Sequence, residues 1–250
     1  MQIDVAFTPS EVQALANKVC VVIDVVRATS SLTVILSKRP KKVLLTTTIQ
    51  KATKIASQQT VHPLLCGERS GVAPTGFNYG NSPVEYFSAP LADKEIIFTS
   101  SNGTRAIADL LIAPNVYLGC FLNASAVVKK AYETASAKAM DVLFVCAGRE
   151  EKFAVDDAYC AGYLVSKLIS LIPAENEFSL ADGAQAALAI CGYYRDDRRL
   201  FEMSGAGKAV LKIGLADDLT FLLQKDLLDC VPELIQKNIP EPEYGFSVAV

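Results

Sequence analysis

The chain has 250 residues, with 24 Lys and Arg against 27 Asp and Glu and a net charge of −3, a balance that offers a nucleic-acid backbone no basic footprint. At this length a globular chain buries roughly 70 to 75% of its unfolded surface, so a sizeable core needs neither disulfides nor a structural metal. Apolar residues make up 51%, yet no run approaches the ~20 consecutive apolar residues of a membrane span. The opening Met1-Gln2-Ile3-Asp4-Val5 lacks a basic or apolar leader pattern. A cytoplasmic protein that binds neither nucleic acid nor membrane is expected.

Short runs rich in Val, Ile, Leu and Phe alternate with longer amphipathic stretches, the pattern of a sheet covered by helices on both faces. Strands are expected at 3–7, 19–25, 42–47, 64–67, 95–99, 115–119 and 141–146, and helices starting near Thr29, Ile49, Ser82, Asn102, Asn123 and Asp156. Ser82 precedes Pro83, and Asn102 and Asn123 are good capping residues. After about Ser170 strand signals fade, and 181–191, 200–203, 208–211 and 215–223 read as helical. The expected fold is α/β: a three-layer arrangement with a largely parallel or mixed central sheet and a helical C-terminal region. One domain over 1–250 is expected, with the helical segment 171–235 packed on it. Pro240-Glu241-Pro242 reads as extended, and no solenoid repeat is evident.

Polar clusters stand directly after the apolar runs: Asp24 to Ser31, Gly67 to Gly71, Gly76 to Pro83 and Thr99 to Thr104. The carboxyl ends of parallel strands, with the helix N-termini that follow, present free N–H groups and loop side chains together. One anion site is therefore expected there. Asp24 ends an apolar strand, where a carboxylate can ligate Mg²⁺, attack phosphorus or pair with Arg27. The D-x-D loop of haloacid-dehalogenase phosphatases is absent, since Val26 stands at its second acid. Glu68-Arg69 repeats the pattern after 64–67, and Asp156-Asp157 follows 141–146. Mg²⁺ needs only one or two carboxylates, with water and phosphate oxygens completing its shell. Asp24 with Glu68 or Asp157 suffices, although an acid pair in a first helical turn also serves the macrodipole alone.

Arg27, Arg69, Arg105 and Arg149 lie near strand ends, and their guanidinium forks suit phosphate, carboxylate and sulfonate oxygens. Arg27 and Arg69 are the catalytic candidates beside Asp24, with an ion pair to the adjacent acid as the structural alternative. Thr29, Ser30, Asn81, Ser82, Asn102, Gly103 and Thr104 join Arg105 and Arg149 as candidate substrate contacts, because glycine allows close approach while Asn, Ser and Thr bind anions or cap helices. The lysine of a P-loop is missing. His62, the single histidine, reads as surface, and the seven scattered cysteines read as buried free thiols. Cys146 lacks the arginine six positions on that a cysteine phosphatase requires, since Lys152 stands there.

The segments VVIDVVRATSS (21–31), CGERSG (66–71), GFNYGNSP (76–83), SSNGTRA (100–106), LNASAV (122–127) and CAGREEKFAVDDAYCAG (146–162) occur in an order and spacing that resemble the 2-phosphosulfolactate phosphatase family. The likeness runs from about Ile23 to Pro232. Asn78, Ser101 and Asp156 depart from it, where an acid, a threonine and a glutamate are more usual. The resemblance implies a Mg²⁺-dependent phosphatase of coenzyme M and sulfolactate metabolism, acting on (R)-2-phospho-3-sulfolactate. It favours Asp157 as a metal ligand and Asn81 and Asn102 as ligand contacts rather than caps. The alternatives are a phosphatase for another small anionic phospho-hydroxy acid and a non-catalytic binder of anionic metabolites. A homo-oligomer is compatible with either.

Overall fold

Two groups of parallel strands, joined by an antiparallel pair, form the sheet of the computed structural model, which describes residues 1–235 and 246–249. In chain order the elements are β1 (Gln2–Ala6), β2 (Lys18–Ile23), α1 (Ala28–Ser37), β3 (Lys42–Thr46), α2 (Ile49–Ser57), β4 (Leu64–Gly67), α3 (Pro83–Ser88), β5 (Glu95–Thr99), α4 (Gly103–Ala108), β6 (Asn115–Leu118), α5 (Ala124–Lys138), β7 (Asp141–Cys146) and α6 (Val155–Leu171). There follow β8 (Ser179–Leu180), α7 (Asp182–Tyr193), α8 (Asp197–Met203), α9 (Gly205–Lys212), α10 (Ala216–Leu222), β9 (Glu233–Ile235) and β10 (Phe246–Ala249). The strand order is β4-β5-β3-β10-β9-β6-β2-β7-β1-β8.

β2 is Lys-Val-Cys-Val-Val-Ile, and its last five residues are fully buried, because β6 and β7 flank it in parallel while helices cover both faces. α1 is buried from Ala28 to Leu36 and so lies inside the molecule. α2 instead buries only Ala52 and Ile55, and Thr48 caps it by accepting from the Lys51 N–H at 3.1 Å. The main hydrophobic core runs from Ile3 on β1 to Val248 on β10.

The two parallel groups are built alike. β5 lies between β3 and β4, and β2 lies between β6 and β7. α2 connects β3 to β4 just as α5 connects β6 to β7. Both β4 and β7 carry a cysteine near or at their end, Cys66 and Cys146, and an arginine three residues later opens a tight turn. Arg69–Val72 and Arg149–Lys152 each close by reciprocal backbone hydrogen bonds. The central pairs, Ser70-Gly71 and Glu150-Glu151, all have positive φ, which is the type I′ geometry. In the β6-β2-β7 triplet the central strand comes first in the chain and in the β3-β5-β4 triplet it comes last, so the repeat is permuted and has no linear period.

All seven expected strands occur, within two residues of the expected bounds, and the C-terminal helices appear as α7 to α10. The segment 171–235 is not wholly helical, because β8 and β9 lie in it, and β10 extends the sheet further. β8 has two residues and β9 three, too few to show a period of two in sequence. Residues 240–242 lie outside the described residues. No helix among the described residues is long and apolar enough to cross a membrane.

Candidate active site

The loops at the carboxyl ends of β2, β4, β5 and β7 are tied into a ring by side chain to backbone hydrogen bonds. Glu68 Oε2 accepts from the Gly71 N–H at 2.8 Å, and its Oε1 accepts from the Ser101 N–H at 2.7 Å, joining the β4 turn to the β5 loop. Asn102 Oδ1 accepts from the Glu150 N–H at 3.2 Å and carries the ring to the β7 turn. Asp157, in the first turn of α6, accepts from the Gly148 N–H at 3.0 Å and the Val25 N–H at 2.9 Å, reaching the β2 loop. Arg27 Nη2 closes the ring by donating to the Gly71 carbonyl at 2.7 Å. Glu68 and Asp157 thus perform the same bracing task from opposite groups. Both are only 7% and 3% exposed.

Asp24 emerges at the end of β2 between the N-termini of α1 and α4. Its Oδ1 accepts from the Ala28 N–H at 3.1 Å, and the Gly103 amide also favours its charged form. Burial raises its pKa to about 7, with repulsion from Glu68 and Asp156 acting in the same direction. Asp156 is pushed up to about 6 by burial, with its own amide and Arg149 opposing. Asp157 is raised by burial and then by Asp156 and Asp24. Buried carboxylates that repel one another leave a deficit of positive charge. No group of three or more His, Cys, Asp or Glu among the described residues can enclose a metal. One or two of these acids can still supply a hard cation whose remaining ligands are oxygen from water and substrate. Asp24, Glu68 and Asp157 each accept from two amides, but those on Glu68 and Asp157 join separate strand-end loops, whereas those on Asp24 come from the N-termini of α1 and α4 beside it. Asp156, which sequence reasoning passed over in favour of its neighbour, holds no loop.

None of the arginines pairs with the acid beside it in sequence. Arg27 Nη1 lies 2.9 Å from Asp218 Oδ2 on α10, with both side chains almost fully buried. Arg149 donates to the Gly205 carbonyl at the start of α9. Arg69 donates to the carbonyls of Glu68 and Thr47 and to Thr99 Oγ1. Burial lowers the Arg69 pKa and so does Arg105, with Glu68 opposing. Arg69 thus stands between the negative charge of Glu68 and the positive charge of Arg105. Arg105 is exposed and has no hydrogen-bond or ion-pair partner among the described residues. Arg69, Arg105, Ser101 and Asn102 line a cavity of about 760 Å³ beside the ring, together with the acids Asp109, Glu150 and Glu151.

The other candidate contacts divide by burial. Thr29 Oγ1 accepts from the Asp24 N–H at 3.1 Å, and Ser30 Oγ donates to the Val25 carbonyl at 2.9 Å, so both fully buried hydroxyls shape the Asp24 loop. Thr104 does the same for Ser100, with a 3.2 Å bond from its N–H. Ser82 caps α3 and donates to Asp218 Oδ1 at 2.5 Å. Asn81 is 4% exposed and its Oδ1 has no partner. Asn102 heads α4 without capping it, since its oxygen serves Glu150 instead. Cys146 is fully buried, and burial with the nearby acids pushes its thiol well above the ordinary range. His62 is exposed. Sequence reasoning missed Asp218, whose helical context gave no sign that it reaches Arg27, a residue 191 positions away.

The family model for 2-phosphosulpholactate phosphatase matches residues 6–237. A probable 2-phosphosulfolactate phosphatase of Pseudothermotoga lettingae is 36% identical over 240 residues, 94% of this chain and 96% of its own. Its counterpart in Clostridium acetobutylicum is 31% identical over 96% of this chain and all of its own. That of Caldanaerobacter subterraneus subsp. tengcongensis is 36% identical over 88% and 89%. The conjunction of strand-end acids, paired arginines and whole-length similarity makes the chain a member of the 2-phosphosulfolactate phosphatase family, and a phosphoric monoester hydrolase.

Proposed function

We propose that the chain hydrolyses (R)-2-phospho-3-sulfolactate to 3-sulfolactate and phosphate, as a Mg²⁺-dependent cytoplasmic enzyme of sulfolactate and coenzyme M metabolism. The observation that carries this reading is the juxtaposition of buried, mutually repelling carboxylates with an unpaired arginine. Asp24 is raised by burial and by Glu68 and Asp156, while Arg105, without a hydrogen-bond or ion-pair partner among the described residues, lines one cavity with Arg69. A phosphomonoester with its metal ion meets both needs, and a substrate with carboxylate and sulfonate arms uses further arginine forks.

Asp24 and Asp156 would hold Mg²⁺, which when bound supplies charge neutralisation at the phosphoryl oxygens. Glu68 and Asp157 keep the surrounding amides in place, so that little reorganisation accompanies charge development. Arg69 orients the phosphoryl group from the cavity side, and Arg105 receives a second anionic arm. Phosphoryl transfer leaves the protein mostly positioning and electrostatics to perform, which suits a site whose carboxylates mostly brace loops. Water supplies the oxygen that replaces the ester bond and a proton for the leaving alkoxide.

Phosphate release from 2-phosphosulfolactate, measured with Mg²⁺ and in excess EDTA, tests the proposal. Turnover that chelation abolishes and Mg²⁺ restores is expected. Full turnover in EDTA removes the metal from the account, and no release under any condition removes the substrate.

A further inference from the structure

We propose that Asp218, outside the sheet and distant in sequence from every motif, is a positioning residue of the active site, acting through Arg27. It stands in the first turn of α10, 1% exposed, and clasps two groups at once. Its Oδ2 meets Arg27 Nη1 at 2.9 Å, and its Oδ1 accepts from Ser82 Oγ at 2.5 Å. Arg27 is 4% exposed and Ser82 7%, so neither can find a partner in water if the carboxylate leaves.

The two clasped residues belong to different strand groups. Arg27 lies in the β2 loop, three residues after Asp24, and Ser82 caps α3 beyond β4. Arg27 Nη2 then reaches the Gly71 carbonyl at 2.7 Å, and the Gly71 N–H is the one held by Glu68. A single carboxylate on α10 thereby fixes the Asp24 loop against the turn that Arg69 opens. Arg27 has five N–H donors in a rigid plane, so orienting one edge orients the others. Val26, beside Arg27, packs against the small apolar cluster of Val210, Leu219 and Leu222, which seats α10 at this point. α10 therefore supports the active-site loops. An arginine buried beside an active-site loop is costly unless paired, and the pairing sets its direction.

The inference rests on the phosphatase reading, because turnover is its readout. The variants are Asp218→Asn, Arg27→Met and the double variant, assayed for phosphate release well below each melting temperature. Asp218→Asn should lower kcat about tenfold or more with KM changed less than about threefold. Added to Arg27→Met it should lower kcat no further, and the double variant, free of both charges, should melt above Arg27→Met. Native kcat in folded Asp218→Asn protein overturns the proposal and leaves a purely structural clasp. A further tenfold loss in the double variant also overturns it, because Asp218 then acts without Arg27. If Asp218→Asn does not fold, the comparison of the double variant with Arg27→Met decides by the same criterion. Wild-type protein that turns over p-nitrophenyl phosphate but not 2-phosphosulfolactate refutes the substrate alone, and the comparison runs on the former. Wild-type protein that hydrolyses neither overturns both readings.

Discussion

The Oδ2 oxygen of Asp24 lies 2.7 Å from the point where a Cβ on Gly103 would sit, and Ala28 Cβ lies 2.6 Å from it. Glycine is required at 103 by close approach, since its φ is not in the left-handed region. Gly103→Ala should displace the Asp24 carboxylate and separate the N-termini of α1 and α4. Overpacking of this kind costs about 1 to 3 kcal/mol of stability. Turnover should fall about a hundredfold, or ~2.7 kcal/mol at the transition state. Parallel melting and kinetic measurements check this, and an active Gly103→Ala enzyme shows that the carboxylate tolerates displacement.

Stability should depend on pH in an unusual direction. Asp24 rises to about 7 and Asp156 to about 6 in the folded protein, from an ordinary value of 3.8. Between about pH 4 and 7 the native state thus binds more protons than the unfolded chain, so stability falls as pH rises through this window. Mg²⁺ should flatten the slope by supplying the missing positive charge. Denaturant midpoints across the window, with and without Mg²⁺, test this. A stability that climbs toward pH 7 without metal refutes the assignment of the two acids as strained.

Cys146→Ser should keep most of the activity. Its thiol is fully buried and its pKa is pushed well up, so little thiolate exists to attack phosphorus. A folded Cys146→Ser protein without turnover would establish a covalent cysteine mechanism instead.

Specificity should reside in the arginine cavity. Arg105 is exposed on a short helix, so Arg105→Met should fold normally. It should lower kcat/KM for 2-phosphosulfolactate about tenfold to a hundredfold, the effect of roughly 1 to 3 kcal/mol, and alter phosphoglycolate hydrolysis much less. Equal losses on the two substrates would assign Arg105 to the phosphoryl group rather than to the sulfonate.

The fold was legible wherever burial was continuous. β2, β5 and β7 are apolar runs ended by polar clusters, and their bounds follow from composition. β8 and β9 were not legible because two or three residues carry no period. The internal repeat was hidden by its permutation: β2 precedes its neighbours β6 and β7 in the chain, while β5 follows its neighbours β3 and β4. For the site, the strand-end rule located Asp24, Glu68, Asp157 and Asn102 in one ring, but chain proximity misled about partners. Arg27 follows Asp24 by three residues and pairs with Asp218, while Asn102 heads a helix and serves a turn 48 residues on. Asp156 and Asp157 are adjacent, and helix geometry turns one toward two loop amides while the other holds none. Such divisions depend on three-dimensional direction, which residue type does not encode.

The central claim is that the Asp24 carboxylate is the chemical centre of a phosphatase site, and Asp24→Asn tests it most directly because the change deletes charge and preserves shape. The measurement is phosphate release from 2-phosphosulfolactate in saturating Mg²⁺, on protein shown to be folded by circular dichroism. A loss of about a thousandfold or more, equivalent to ~4 kcal/mol, is predicted. Near-native turnover in the folded variant would contradict the claim and reduce Asp24 to a residue that shapes the α1 N-terminus.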